Sequence, residues 1–219
     1  QDELNARMSS YELAYRMQTS APNAFNLNNE TESTRKLYGI GTKDTELVGR
    51  QLLTARRLVE RGVRFVNIMF ASWDHHSNLD AELGYNAGCV DQPIGALIKD
   101  LKQRGLLDET LVVWGGEFGR TPLGENRIGR AGVTGRDHHP NAFSMFMAGG
   151  GAKPGSVYGK TDELGWAPVV DPIHINDFQA TLLHMFGMDH RQLTFRHQGI
   201  DKRLTSITRE SSVINELLS

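Results

Sequence analysis

Apolar and polar positions change period several times along this chain, and the changes mark out its elements. Residues 8–20 (MSSYELAYRMQTS) and 45–61 (TELVGRQLLTARRLVER) carry apolar side chains at helical spacing, the second at Leu47, Leu52, Ala55, Leu58 and Val59. Between them, Pro22 to Asn29 is rich in Asn and reads as a loop, and Gly62 is placed to cap the second helix. Val63 to Phe70 (VRFVNIMF) is β-branched and aromatic, the pattern of a buried strand. Residues 71–86 read as polar loop and 88–104 (GCVDQPIGALIKDLKQR) as a helix ended by Gly105. Residues 110–114 (TLVVW) form a second predicted strand. A long Gly- and Arg-rich stretch, 115–141, precedes a third predicted strand at 142–148 (AFSMFMA), which stops at Gly149-Gly150-Gly151. Residues 175–187 (INDFQATLLHMFG) predict a helix with Asn176 at its N-cap and Gly187 as its stop, and 211–218 a short further helix.

Residues 63–114 thus read as strand–helix–strand, long enough for a parallel crossover unit. The alternation as a whole predicts an α/β fold with a mostly parallel, doubly wound sheet, in a single domain spanning 1–219. Composition narrows the function more than the fold. The formal net charge of −2 offers no global field for nucleic acid. The longest apolar runs, such as Met145-Phe146-Met147-Ala148, fall far short of the roughly 18 residues of a membrane span. The single cysteine, Cys89, excludes an internal disulfide and any Cys-rich metal site, and its predicted helix makes it a small core residue. The chain opens on Gln1-Asp2-Glu3-Leu4 with no Met and no signal segment, so we expect a piece of something longer.

Three polar clusters lie beside the predicted strands: Trp73-Asp74-His75-His76, Gly116-Glu117-Phe118-Gly119-Arg120-Thr121 and Gly135-Arg136-Asp137-His138-His139. Loops at the strand carboxyl ends are where open α/β sheets bind ligands. The triplet Asp-His-His occurs twice, where 13 Asp and 8 His in 219 residues would place about 0.02 by chance. Imidazole and carboxylate together suit borderline divalent cations. Asp74 and His76, two apart, share a face in extended backbone, whereas the adjacent Asp137 and His138 need a turn to converge. Two such triplets, with Glu117 near a strand end, favour metal ligation over loop-tying hydrogen bonds. His75 and His139 are expected to face substrate or support the ligands. Arg120, Arg136 and Lys153 suit an anionic substrate, or pair with Glu117, Glu125 or Asp137. No Gly-x-Ser-x-Gly elbow or phosphate loop is present, and no nucleophile stands out.

These stretches, with Glu12-Leu13-Ala14-Tyr15-Arg16-Met17-Gln18, Gly115-Gly116-Glu117-Phe118-Gly119-Arg120-Thr121-Pro122, Gly135-Arg136-Asp137-His138-His139-Pro140-Asn141, Ala148-Gly149-Gly150-Gly151 and the segment from Phe195 to Leu204, resemble a bacterial family catalogued as domain of unknown function 1501. Many of its members are exported. That family is similar to sulfatases and the alkaline phosphatase superfamily, which hydrolyse sulfate or phosphate esters with one or two divalent metals on a doubly wound sheet. The resemblance implies that Asp74 and His76 form one ligand group. Glu117 stands where the superfamily has an Asp-His pair, so that Phe118 replaces the His. Asp137 with His138 or His139 stands where a later ligand His is found. Family members run longer, so residues 1–219 look like a carboxyl-terminal half, with the nucleophile and a further ligand in the missing amino-terminal half. Cys89 does not match the sulfatase Cys-x-Pro-x-Arg pattern.

These readings combine into one expectation: a metal-dependent hydrolase of sulfate or phosphate esters, incomplete in this chain. Asp74, His76, Glu117, Asp137 and His138 would hold zinc, manganese or calcium. Arg120 would stabilise the anion and His139 would protonate the leaving group. The ligand would be a small anionic ester or a sulfated polysaccharide, met after export to the periplasm or beyond. The alternative is an exported module on the same fold that has lost catalysis.

Overall fold

A computed structural model describes residues 2–125 and 135–219, and the chain divides into two compact units. The first comprises residues 1–74 and 80–104, the second 75–79 and 105–219.

The first unit is helical. It contains α1 (Asp2–Phe25), α2 (Glu32–Leu37), α3 (Glu46–Val59) and nearly all of α4 (Leu79–Gln103). α3 forms where the helical spacing predicts it. Glu46 sits in its first turn and Arg56 and Arg57 in its last, each the right sign for the helix dipole. Gly62 follows at φ +82, a value that glycine adopts without strain. The helix buries Val48, Leu52, Leu53 and Ala55. α4 buries Cys89, Val90, Pro93, Ala96, Leu97 and Leu101 along one stripe, which confirms the core placement of Cys89. α4 starts earlier than the sequence predicts, and α1 runs on through Pro22 to Phe25, into the stretch expected as loop.

A network of buried charges holds this unit together. Arg56, 1% exposed, meets Glu30 at 2.7 Å, Glu60 at 2.5 Å and Asp100 at 3.0 Å. Arg57 also pairs with Glu30 and donates to the carbonyls of Ala24 (2.8 Å) and Asn23 (2.6 Å), tying the end of α1 to α3. The Tyr38 hydroxyl donates to Asp100 at 3.0 Å, and Arg104 bridges Asp100 and Glu60. Burial works against the Glu30 carboxylate, but the two guanidiniums outweigh it and hold its pKa below the ordinary carboxylate value.

The second unit is built from short strand pairs and one helix. β1 (Val112–Trp114) pairs with β4 (Phe146–Ala148), β2 (Gly119–Glu125) with β3 (Gly135–His139), β5 (Lys160–Thr161) with β6 (Pro168–Val170), and β7 (Thr194–His197) with β8 (Ile200–Arg203). Every one of these pairs is antiparallel. The β7–β8 hairpin turns on Gln198-Gly199, both at positive φ (51 and 77), which matches the right-handed twist of its strands. α5 (Ile175–Met185) is capped by the His174 side chain, whose Nδ1 accepts the Asn176 N–H at 3.1 Å, rather than by Asn176 itself. Asp177 in its first turn holds Arg209 through two contacts of 2.8 and 2.7 Å and accepts the Ser212 N–H at 3.0 Å.

The expected mostly parallel, doubly wound sheet is therefore overturned. Helix makes up 41% of the chain, and the described strands form separate antiparallel pairs. Residues 63–70 explain the difference. Their exposure alternates, with Phe65 at 77% and Met69 at 82%, yet no strand forms there and the segment joins no strand pair among the described residues. The anticipated crossover thus lacks its first strand. β1 meets β4 across an intervening hairpin rather than a crossover helix, and an antiparallel pair results.

Two outcomes follow from the buried network. Arg56→Met takes one cationic partner from each of three carboxylates, Glu30, Glu60 and Asp100, and should cost about 3–5 kcal/mol of stability, read by chemical denaturation. Because the Glu30 pKa is depressed on folding, its contribution is full above the unfolded carboxylate value and lost as pH falls through the folded one. The denaturation midpoint should therefore fall below about pH 4, and less so in Glu30→Gln.

Candidate metal centre

The β2–β3 hairpin and the segment 75–79 build the site, all within the second unit. The hairpin register pairs Arg120 with His138 and Glu125 with Gly135, with an irregularity between Arg120 and Gly124. The 75–79 segment lies directly on β3. The Arg136 N–H donates to the His75 carbonyl at 3.0 Å. At Gly135 an added Cβ would fall inside the van der Waals envelope of the His76 backbone, so only glycine permits this approach.

So placed, the half-buried His76 ring reaches two partners. Its Nδ1 lies 2.5 Å from Glu125 Oε2, and its Nε2 lies 3.2 Å from His138 Nε2. Donor atoms of His76, Glu125 and Asp137 all fall within 4.8 Å of one another. Asp137 is held by its own hairpin: its N–H donates to Thr121 Oγ1 at 3.1 Å, and its Oδ1 accepts the His138 N–H at 2.7 Å. The structure thus brings His76, Asp137 and His138 together from distant stretches of chain.

The remaining predicted residues are Asp74, Glu117, Arg120 and His139. Asp74 is exposed at the end of the first unit, two residues before His76 along the chain. Glu117, 57% exposed, turns to Arg120, whose Nη2 donates to it at 2.9 Å. Its own backbone N–H and then Arg120 lower the Glu117 pKa. The Arg120 guanidinium lies 5.3 Å from the Phe118 ring centroid, and that ring lies 4.9 Å from the His138 ring. Of the open pairings for Arg120, the Glu117 contact is realised. His139 is buried, with its ring 4.8 Å from that of Trp166. Its Nε2 lies 2.5 Å from the Trp166 carbonyl, which only accepts, so this nitrogen carries the proton. His75 is also buried. Glu125 is the residue that sequence reasoning assigned no role at a metal: one Glu in Leu-Gly-Glu-Asn has no pattern, and only the hairpin register delivers it to His76. The stretch 126–134 of the predicted Gly- and Arg-rich segment lies outside the described residues.

A family model for proteins of unknown function, DUF1501, matches residues 1–218. The chain belongs to the DUF1501 family. No curated protein and no solved structure matches it. The DUF1501 match covers both units, so the helical network and the histidine cluster belong to one family unit of sequence. No helix among the described residues is long and apolar enough to cross a membrane.

Gly135→Ala tests the close approach directly. The added methyl group should push the 75–79 segment off β3, cost about 1–3 kcal/mol and shift the His76 ring resonances in a proton–nitrogen NMR spectrum. Unchanged His76 resonances would disprove the contact.

Proposed function

We propose that this DUF1501 protein is a metal-dependent hydrolase of sulfate or phosphate esters. The observation that carries the reading is the pair of imidazole nitrogens, His76 Nε2 and His138 Nε2, facing each other at 3.2 Å. Two nitrogens bound at 2.0–2.1 Å to a tetrahedral cation sit about 3.3 Å apart, so the pair already has the spacing of two ligands. The donor set fits a divalent ion: two imidazoles, with the Asp137 carboxylate close by to offset charge. His76, His138 and Asp137 would hold the ion, with Asp74 as the further ligand that the resemblance to sulfatases and alkaline phosphatases implies. A bound divalent ion supplies charge stabilisation to an ester oxygen and lowers the pKa of a hydroxyl or water.

The protein's own groups then have defined tasks. Asp137, its backbone N–H held by Thr121 Oγ1 and its carboxylate by the His138 N–H, orients the hairpin edge of the site. Arg120 lies cross-strand from His138 and offers a planar guanidinium to an anionic ester. Its pairing with Glu117 holds it in place until an anion competes for it. Small sulfate or phosphate esters or a sulfated polysaccharide, encountered after export, are the ligand classes that suit this arrangement. His139 holds its Nε2 proton on the Trp166 carbonyl, and protonating a leaving group from that atom would require breaking this bond. One observation favours a second reading, a module that binds the cation without turnover: Phe118, which cannot ligate, packs against His138.

Metal content and turnover separate the two. The full-length protein should retain zinc or manganese near stoichiometric amounts and melt at higher temperature with it, because binding to the folded state alone stabilises that state. His76→Ala and His138→Ala should each reduce the content below about 0.2 per chain. Aryl sulfate or aryl phosphate hydrolysis should fall at least ~100-fold in His76→Ala. Metal retention with no turnover of either ester class would support the binding module, and wild-type protein without metal after resupply would reject both.

A further inference from the structure

We propose that Glu125 is a positioning residue that selects the cation-binding nitrogen of His76 and strengthens the site; this rests on the metal reading above. The carboxylate of Glu125 lies 2.5 Å from His76 Nδ1. An ionised carboxylate only accepts, so Nδ1 carries the proton and donates it. In a neutral ring the lone pair is then on Nε2, the atom that faces His138 Nε2 at 3.2 Å. Glu125 thereby holds the ring in the tautomer that can ligate, fixes its rotation, and makes Nε2 more electron-rich.

The fold provides this contact by three separate means. The His75 carbonyl is tied to the Arg136 N–H, the bare Gly135 backbone admits His76, and the register sets Glu125 opposite Gly135. Backbone, close approach and side chain therefore converge on one ring. Both side chains are mostly covered, His76 at 17% and Glu125 at 16% exposure, so solvent only partly screens the contact. Glu125 also lies within 4.8 Å of the nearest donor atoms of His76 and Asp137, but an oxygen already bonded to the His76 N–H acts through that ring.

The test uses full-length protein stripped of metal and titrated with zinc by calorimetry. Wild type should bind, His76→Ala should not, and Glu125→Gln should bind with unchanged stoichiometry but 10–100-fold weaker affinity, with Glu125→Ala at or beyond the weak end of that range. Gln keeps an acceptor oxygen, so its milder loss distinguishes positioning from simple disruption. Two-bond proton–nitrogen NMR on the metal-free wild type needs no variant to fold. It should show the His76 proton on Nδ1, and a proton on Nε2 would overturn the proposal. Wild-type binding with Glu125→Gln and Glu125→Ala within twofold of it would overturn the Glu125 role and leave the metal site standing. No zinc or manganese binding by wild type would overturn both.

Discussion

The absence of a side chain at Gly135 is the constraint on which the candidate site depends. A β-strand normally presents a side chain at every position, and that side chain would keep a crossing segment several ångströms away. At Gly135 the backbone of His76 comes into direct contact, and the Arg136 N–H next to it captures the His75 carbonyl. Everything else at the site follows from this contact. Only with the 75–79 segment at this depth does the His76 ring bridge from Glu125 on β2 to His138 on β3. The repeated Asp-His-His motif therefore matters because a glycine lets its two copies meet, with His76 from one and Asp137 and His138 from the other.

What was legible in the sequence divides along physical lines. Helices α3 and α5 were visible because a helix is a local object: period and glycine stops are all within one stretch. Strands were visible only as local conformation. Residues 63–70 keep an alternation of exposure but form no strand among the described residues, because a strand's partner and direction come from elsewhere in the chain. Hence the parallel sheet was read where antiparallel pairs stand. In the site, His76, His138 and Asp137 announced themselves by an improbable repeat. Glu125 did not, because its contact is created by a hairpin register with an irregularity that no spacing rule anticipates. Glu117 illustrates the converse: its position beside a motif suggested a ligand, but a nearby guanidinium claims its carboxylate.

The two units treat buried charge in opposite ways. In the first, Arg56 and Arg57 are neutralised from all sides by Glu30, Glu60 and Asp100, so the interior is electrically complete. Such a network resists the loss of any one member, since removal leaves an opposite charge buried without its counterpart. In the second unit, the partly covered His76 and Glu125 and the exposed Asp137 and His138 gather in one place. These imidazole nitrogens and carboxylate oxygens are the atoms that the proposed cation would share. Compensated charge in one unit and gathered ligand atoms in the other set the structural network apart from the proposed metal site.

Phe118 shows how one side chain changes the character of such a place. An imidazole at this position would add a donor. The phenyl ring instead packs against His138 and beneath the Arg120 guanidinium. Its face is electron-rich, so it steadies the guanidinium without neutralising it, unlike Glu117, which does both. It also lies against the His138 ring, centroid to centroid 4.9 Å. With a wall where a donor would stand, the donors that remain near His76 suit one cation better than a pair. Arg120, held between Phe118 and Glu117, becomes the remaining positive group for an anionic ester. An aromatic wall at Phe118 thus suits the proposed chemistry to one metal and one guanidinium, and it makes the proposed orientation of His76 by Glu125 correspondingly more important.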